Sequence, residues 1–94
     1  MHERDFQARL VSKLKERFPG CLIFKLDTKQ GAPDLMVLYK DKWAGLECKI
    51  SATASHRPNQ DYYVSLMDDM GYASFIFPEN EEEVLDELTQ VFGV

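Results

Sequence analysis

The segment WAGLECKI at 43–50 most restricts what this chain can fold into. It is an apolar run that carries two charges, Glu47 and Lys49, two residues apart. Side chains alternate across a strand, so these two share one face while Leu46, Cys48 and Ile50 share the other and are expected to face a core. Burying a charge is costly unless it is paired or binds metal. The pair therefore reads either as an ordinary Glu–Lys pair on a solvent-exposed sheet face or as a built site, and the strand alone leaves both open. Just upstream, DLMVLYK (34–40) predicts another strand, with Asp41-Lys42 as a two-residue turn between them. An antiparallel hairpin of 34–40 with 43–50 would bring Asp34 toward Glu47 and Lys49. Gly31-Ala32-Pro33 leads into Asp34, with glycine permitting a tight loop and proline fixing the backbone that enters the strand.

Around this hairpin the chain alternates between helical and extended patterns. Residues 3–18 place Phe6, Leu10, Val11, Leu14 and Phe18 on one helical stripe, and Pro19-Gly20 ends it. CLIFKLD (21–27) reads as a short strand and TKQGAP (28–33) as a loop. After a polar loop at 51–57, Pro58 suits the first turn of a helix running to about Met70, with Gly71 as its stop. YASFIF (72–77) is a fourth strand. The last segment sets Val84, Leu85, Leu88, Val91 and Phe92 on a helical stripe, and its glutamates gather in the first turn, where the helix dipole favours negative charge. The resulting order, α-β-β-β-α-β-α, predicts one α/β domain over residues 1–94, with helices packed on a central four-stranded sheet.

Composition narrows the function classes. No apolar run approaches the roughly 18 residues of a membrane helix, and the charged N-terminus, MHERDFQARL, lacks a signal-peptide core. Cys21 and Cys48 form no C-x-x-C pair, which argues against a disulfide framework or zinc site and for reduced thiols in a cytoplasmic, non-secreted protein. The net charge of −5 is unevenly spread. Residues 1–57 hold all 11 Lys and Arg against 7 acids, whereas 58–94 hold 9 acids and no Lys or Arg. Such asymmetry permits a phosphate-binding face opposite an acidic one.

Two carboxylates beside a lysine suit phosphodiester hydrolysis. Asp34 and Glu47 can hold a hard divalent cation that polarises the phosphoryl oxygen and helps form the nucleophile. Lys49 can orient the attacking water or neutralise charge on the phosphorane-like transition state. Gln60, on the face of its helix with Tyr63, Val64 and Met67, leans toward the sheet and needs a polar partner there. A structural hydrogen bond and an active-site role are both open for it.

With G-x-P-D at 31–34, E-x-K at 47–49 and a helix-borne glutamine in Pro58-Asn59-Gln60, the chain resembles the VRR-NUC branch of the PD-(D/E)xK nucleases over about residues 3–77. The resemblance implies a restriction-endonuclease-like αβββαβ core with a mixed sheet, here followed by a C-terminal helix. It implies Mg²⁺ dependence, with Mn²⁺ as substitute, and DNA as substrate, in particular branched DNA such as Holliday junctions. It further implies metal ligation by a first-helix acid, here Glu3, and by the backbone carbonyl at Cys48, and it tips Gln60 toward the catalytic set with Asp34, Glu47 and Lys49. At about 100° per residue Glu3 falls within the apolar stripe of the first helix, while Glu16 falls nearly opposite.

Lys25, Lys29, Gln30, His56 and Arg57 are candidate DNA contacts, although such residues are more often simply solvent-exposed. Tyr62, Tyr63 and Trp43 can stack on bases or pack internally. A homodimer is expected, because cutting a junction symmetrically needs two sites, with aromatic surface around Tyr39 and Trp43 as its contact. The competing expectation is a catalytically inert nucleic-acid-binding or assembly module on the same fold, which the acidic C-terminal third favours.

Overall fold

In the computed structural model, residues 2–27 and 30–94 are described. Three helices, α1 (Glu3–Arg17), α2 (Pro58–Met70) and α3 (Glu81–Phe92), surround four strands, β1 (Leu22–Lys25), β2 (Leu35–Tyr39), β3 (Lys42–Cys48) and β4 (Ala73–Ile76). The sheet order is β1-β2-β3-β4. Its first three strands form an antiparallel meander, while β3 and β4 run parallel. A parallel pair needs a crossover, and α2 supplies it. The expected α/β architecture with a mixed four-stranded sheet is the one observed. Among the described residues no helix is long and apolar enough to cross a membrane.

The helical stripes do the packing that their spacing predicts. Phe6, Leu10, Leu14 and Phe18 of the first helical segment are fully buried, and Val84, Leu85, Leu88 and Phe92 of α3 nearly so. Both sets pack on one sheet face, made by Leu35, Val37, Ala44, Leu46, Cys48 and Ile76. Removing each such side chain from water contributes roughly 1.5–3 kcal/mol, so this face carries most of the stability. Phe18, Tyr39 and Phe92 close its far end, with Phe18 edge-on to Phe92 at 5.1 Å between ring centroids and Tyr39 5.5 Å from Phe92.

The opposite face is treated unequally. The α2 helix covers only its β3–β4 half, burying Val64 and Gln60. At its other end Met67 reaches Gly45, where an added Cβ would stand 3.2 Å from the Met67 methyl and 3.1 Å from the Pro33 ring. Over β1 and β2 the same face stays open, with Leu22 58% and Phe24 52% exposed.

Four local expectations need correction. The hairpin turn is Lys40-Asp41 rather than Asp41-Lys42, since Tyr39 pairs with Lys42 and Lys40 takes a positive φ of 56°. Ile50 lies beyond the end of β3 and is 41% exposed, so the core row stops at Cys48. Cys21 sits before β1 and is only half-buried, whereas Cys48 is buried as expected. Tyr39 and Trp43 offer little free aromatic surface. The Tyr39 ring packs in the aromatic cluster, and Trp43 lies so close to Gly71 that a Cβ there would stand 2.6 Å from its ring.

Candidate active site

The β2–β3 register sets the site. Leu35 pairs with Leu46, so the next position places Asp34 across from Glu47. The Asp34 N–H donates to Glu47 Oε1 at 3.1 Å. In return, Asp34 Oδ2 accepts the Cys48 N–H at 3.0 Å. Each carboxylate thus caps the backbone where regular pairing between the strands ends. The Lys49 N–H instead bonds to the Ile76 carbonyl of β4. Because successive backbone groups of a strand point to opposite neighbours, the Cys48 carbonyl lies on the Asp34 side.

Beneath α2 the charges form a hydrogen-bonded network. Glu47 is 2%, Lys49 8% and Gln60 4% exposed. The Gln60 amide donates to Glu47 Oε2 at 2.9 Å, and its carbonyl accepts Lys49 Nζ at 2.8 Å. That carbonyl also accepts the Arg57 N–H at 3.0 Å, which caps the start of α2. Lys49 Nζ stands 3.8 Å from Glu47 Oε2. The solvent-exposed reading of the Glu–Lys pair is therefore incorrect, because a helix seals the face on which it stands. Among the described residues no buried side-chain polar atom lacks a partner.

Electrostatically the site carries surplus negative charge. Burial, followed by the neighbouring Asp34, pushes the Glu47 carboxyl up to about 7, against the lowering pull of Lys49. Glu3, at the start of α1, has its carboxyl raised by partial burial and by Asp34, and lowered by Lys49 and Arg57. Glu3 itself is exposed at the first residue of α1. Glu16 instead lines a groove with Lys13, Arg17, Glu82 and Leu85, on the α3 side of the molecule. That groove encloses about 390 Å³, yet its walls are pinned by Lys13–Glu81 at 2.8 Å and Arg17–Asp86 at 2.6 Å. It is the seam between two helices.

Fit to a divalent cation rests on the donor chemistry. Among the described residues no three His, Cys, Asp or Glu side chains group as a metal centre. Magnesium does not require such a cage, since it keeps several waters and takes one or two carboxylates with substrate phosphate. Asp34, Glu47 and the Cys48 carbonyl are hard oxygen donors. Each carboxylate oxygen that accepts one hydrogen bond retains further acceptor capacity. A carboxylate held up to about 7 by burial and a second acid gains from a nearby cation. The set fits Mg²⁺. The Cys48 thiol takes no part, since burial pushes it up to about 12 and leaves it inert.

The remaining candidates scatter. A second cavity, about 260 Å³, adjoins the site and is lined by Gly31, Arg57, Pro58, Asn59 and Gln60. Arg57 therefore flanks the cluster. The His56 ring is already engaged, stacked on Phe75 at 3.9 Å between centroids and bonded through Nδ1 to Asp61 at 2.9 Å. Lys25 and Gln30 are exposed, the former at the end of β1 opposite Leu35, and Lys29 lies outside the described residues. Tyr62, 62% exposed, and Tyr63 pack edge-on against each other at 5.1 Å.

Asn59 is a contributor that the sequence did not single out. Gly31 has φ +102°, and a Cβ on it would stand 2.7 Å from Asn59 Cβ. The loop that delivers Asp34 thus docks directly on the first turn of α2, a long-range contact with no local signature. No family model matches the chain, and no curated protein sequence matches it.

Proposed function

We propose that the chain is a Mg²⁺-dependent endonuclease of DNA, selective for branched forms such as Holliday junctions and working as a homodimer. The observation that carries this reading is the buried Glu47–Lys49–Gln60 network opening toward Asp34. A solvated surface pair needs no helix above it and no shared amide. A scaffold without chemistry would be at least as stable with apolar residues there, because buried ion pairs rarely outperform well-packed hydrophobes.

Asp34, Glu47 and the Cys48 carbonyl would hold Mg²⁺ or Mn²⁺, with Glu3 at the rim, and the ion supplies charge neutralisation and an acidified water when bound. Lys49 has three N–H bonds and gives one to Gln60. Its remaining N–H groups would hold the attacking water in line and meet the negative charge that grows on the phosphoryl oxygens. Gln60 fixes Lys49 and Glu47 relative to one another, so that neither reorganises as the water oxygen bonds to phosphorus and the ester P–O bond breaks. Arg57, which lines the 260 Å³ cavity, would hold a flanking phosphate. The same chemistry serves RNA or simple single strands.

The inert binding module is the second reading, favoured by the absence of Lys and Arg after Arg57. Labelled junctions, flaps, duplex and single strands incubated with Mg²⁺, Mn²⁺ or EDTA separate the two. The nuclease cuts at least one branched form with either metal and none in EDTA. Binding without cleavage under every metal condition would establish the inert module.

A further inference from the structure

We infer that His56 is a positioning residue of the proposed site, a clamp that holds the first turn of α2, and with it Gln60, over Glu47 and Lys49. Its ring makes two contacts. It stacks on Phe75 of β4, with 3.9 Å between centroids and 13° between planes. Its Nδ1 stands 2.9 Å from Asp61 Oδ1 in the first turn of α2. A carboxylate only accepts, so Nδ1 carries the proton and donates.

Both contacts end beside the buried network. Phe75 is the register partner of Glu47 across the parallel β3–β4 pair, so the two side chains share the face that α2 covers. Asp61 follows Gln60 in sequence, and His56 precedes Arg57, whose N–H bonds to the Gln60 carbonyl. One ring thus joins the strand residue next to Glu47 to the helix residue next to Gln60. The loop that carries His56 runs from Lys49 to Arg57, and it is pinned a second time where the Ala52 N–H donates to Glu79 at 3.2 Å.

The first turn of α2 needs this support. An acceptor side chain at the N-cap usually holds a helix start, but the N-cap here is Arg57, which carries donors only. The Gln60 carbonyl substitutes, while also accepting Lys49 Nζ at 2.8 Å. Two contacts from outside the helix fix that shared group. At about 100° per residue Asn59 and Asp61 lie on opposite flanks of α2, each about 100° from Gln60. Asn59 meets Gly31 of the loop that leads to Asp34, and Asp61 meets His56 on the β4 side. Gln60 is held between them. The His56 and Asp61 side chains are 28% and 60% exposed, and pairs so exposed contribute little to global stability. Their effect is local.

The use of this clamp in catalysis rests on the proposed nuclease, but the clamp itself is read without cleavage. Hydrogen exchange followed by NMR on the full chain, free of metal and DNA, compares wild type with His56→Ala, Asp61→Ala, His56→Phe and the double alanine variant. The probe is the Gln60 side-chain amide, which is buried in the wild type. Each single variant should speed its exchange about three- to tenfold, the worth of one hydrogen bond. Asp61→Ala should add nothing once His56 is alanine, because the contact is already gone. His56→Phe keeps the stack without the bond and should match Asp61→Ala. Amides of the β2–β3 ladder should keep their rates, which a general loss of stability would raise as well. Where the wild type cuts DNA, the variants should lower kcat by a similar factor. The half-saturating Mg²⁺ concentration should not change, since Asp34 is anchored to β3 through the Cys48 N–H. Unchanged Gln60 exchange in both Asp61→Ala and His56→Phe overturns the clamp, as does a uniform rise across the ladder or an additive double variant. So does a parental kcat once the Gln60 amide has loosened. A wild type that cuts no DNA refutes the nuclease and leaves the exchange result to decide the clamp.

Discussion

Gln60 is a single neutral amide that satisfies a buried lysine, a buried carboxylate and a helix N–H at once. Replacing it with leucine fills the same space but removes all three partners. Each orphaned buried group costs about 1–3 kcal/mol, more when charged, so Gln60→Leu should lower stability by about 2–4 kcal/mol in urea unfolding, and cleavage should fall with it. Unchanged stability would mean that water replaces the amide and that the cluster is wetter than its burial indicates. Glu47 makes a separate claim through pH. Its folded carboxyl is raised above 4.5 to about 7, so the protonated form is the one that folding favours. The contribution of Glu47 to stability is therefore complete below pH 4.5 and is lost as pH rises through 7. At the proposed site protons and Mg²⁺ would compete for the same oxygens. The melting temperature gained on adding Mg²⁺ should be small at pH 5.5 and grow until about pH 8. A gain that is flat across that range would place the cation elsewhere.

At the scale of elements, the loop at 30–33 and the first turn of α2 form one unit. Gly31 meets both steric contact with Asn59 and a positive φ. Gly31→Ala should therefore cost about 1–3 kcal/mol, and by displacing Asp34 it should raise the Mg²⁺ concentration needed for half-maximal cleavage. Loss of stability with no change in metal requirement would separate this loop from the site. The rotation of α1 gives a second prediction. Glu3 feels the charges of Asp34, Lys49 and Arg57, while Glu16 lines the α3 groove. Glu3→Gln should lower cleavage about tenfold at limiting Mg²⁺, and Glu16→Gln should leave it near the parental rate. The reverse order would contradict the assigned helix face. These elements also mark what could be read in advance. The stripe of α1 and α3 and the two-residue alternation of Glu47 and Lys49 depend only on local periodicity, and they appear as read. The turn at Lys40-Asp41 does not, because a lysine at positive φ follows from strand pairing and not from turn preference. Ile50 reads as a core residue, and CLIFKLD as one undivided apolar strand, because apolar runs look alike whether or not a helix covers them. That α2 spans only half the sheet is a tertiary fact.

For the whole molecule, the division between a basic N-terminal part and an acidic C-terminal part has a structural counterpart. Lys13 and Arg17 spend their charge on α3, through Glu81, Glu82 and Asp86. The cations left for a polyanion lie elsewhere, with Arg57 next to the site. Exposed pairs of this kind contribute little to stability, but they remove positive charge from the α1–α3 side. On the proposed function, DNA would thus be directed to the end of the sheet where Asp34 and Glu47 stand. The central claim is that this end performs metal-dependent phosphodiester hydrolysis with Lys49 as its essential cation. Lys49→Met keeps the buried stem and deletes only the charged head, which makes it the sharpest probe. Wild type and Lys49→Met should be compared on a labelled four-way junction in Mg²⁺ and in EDTA, with Asp34→Asn alongside and Mg²⁺ binding measured by calorimetry. Wild type should cut in Mg²⁺ alone. Both variants should lose at least about 10²–10³-fold in rate, Asp34→Asn also binding Mg²⁺ more weakly and Lys49→Met binding it as well as the parent. A folded Lys49→Met that cuts the junction at the parental rate would contradict the account.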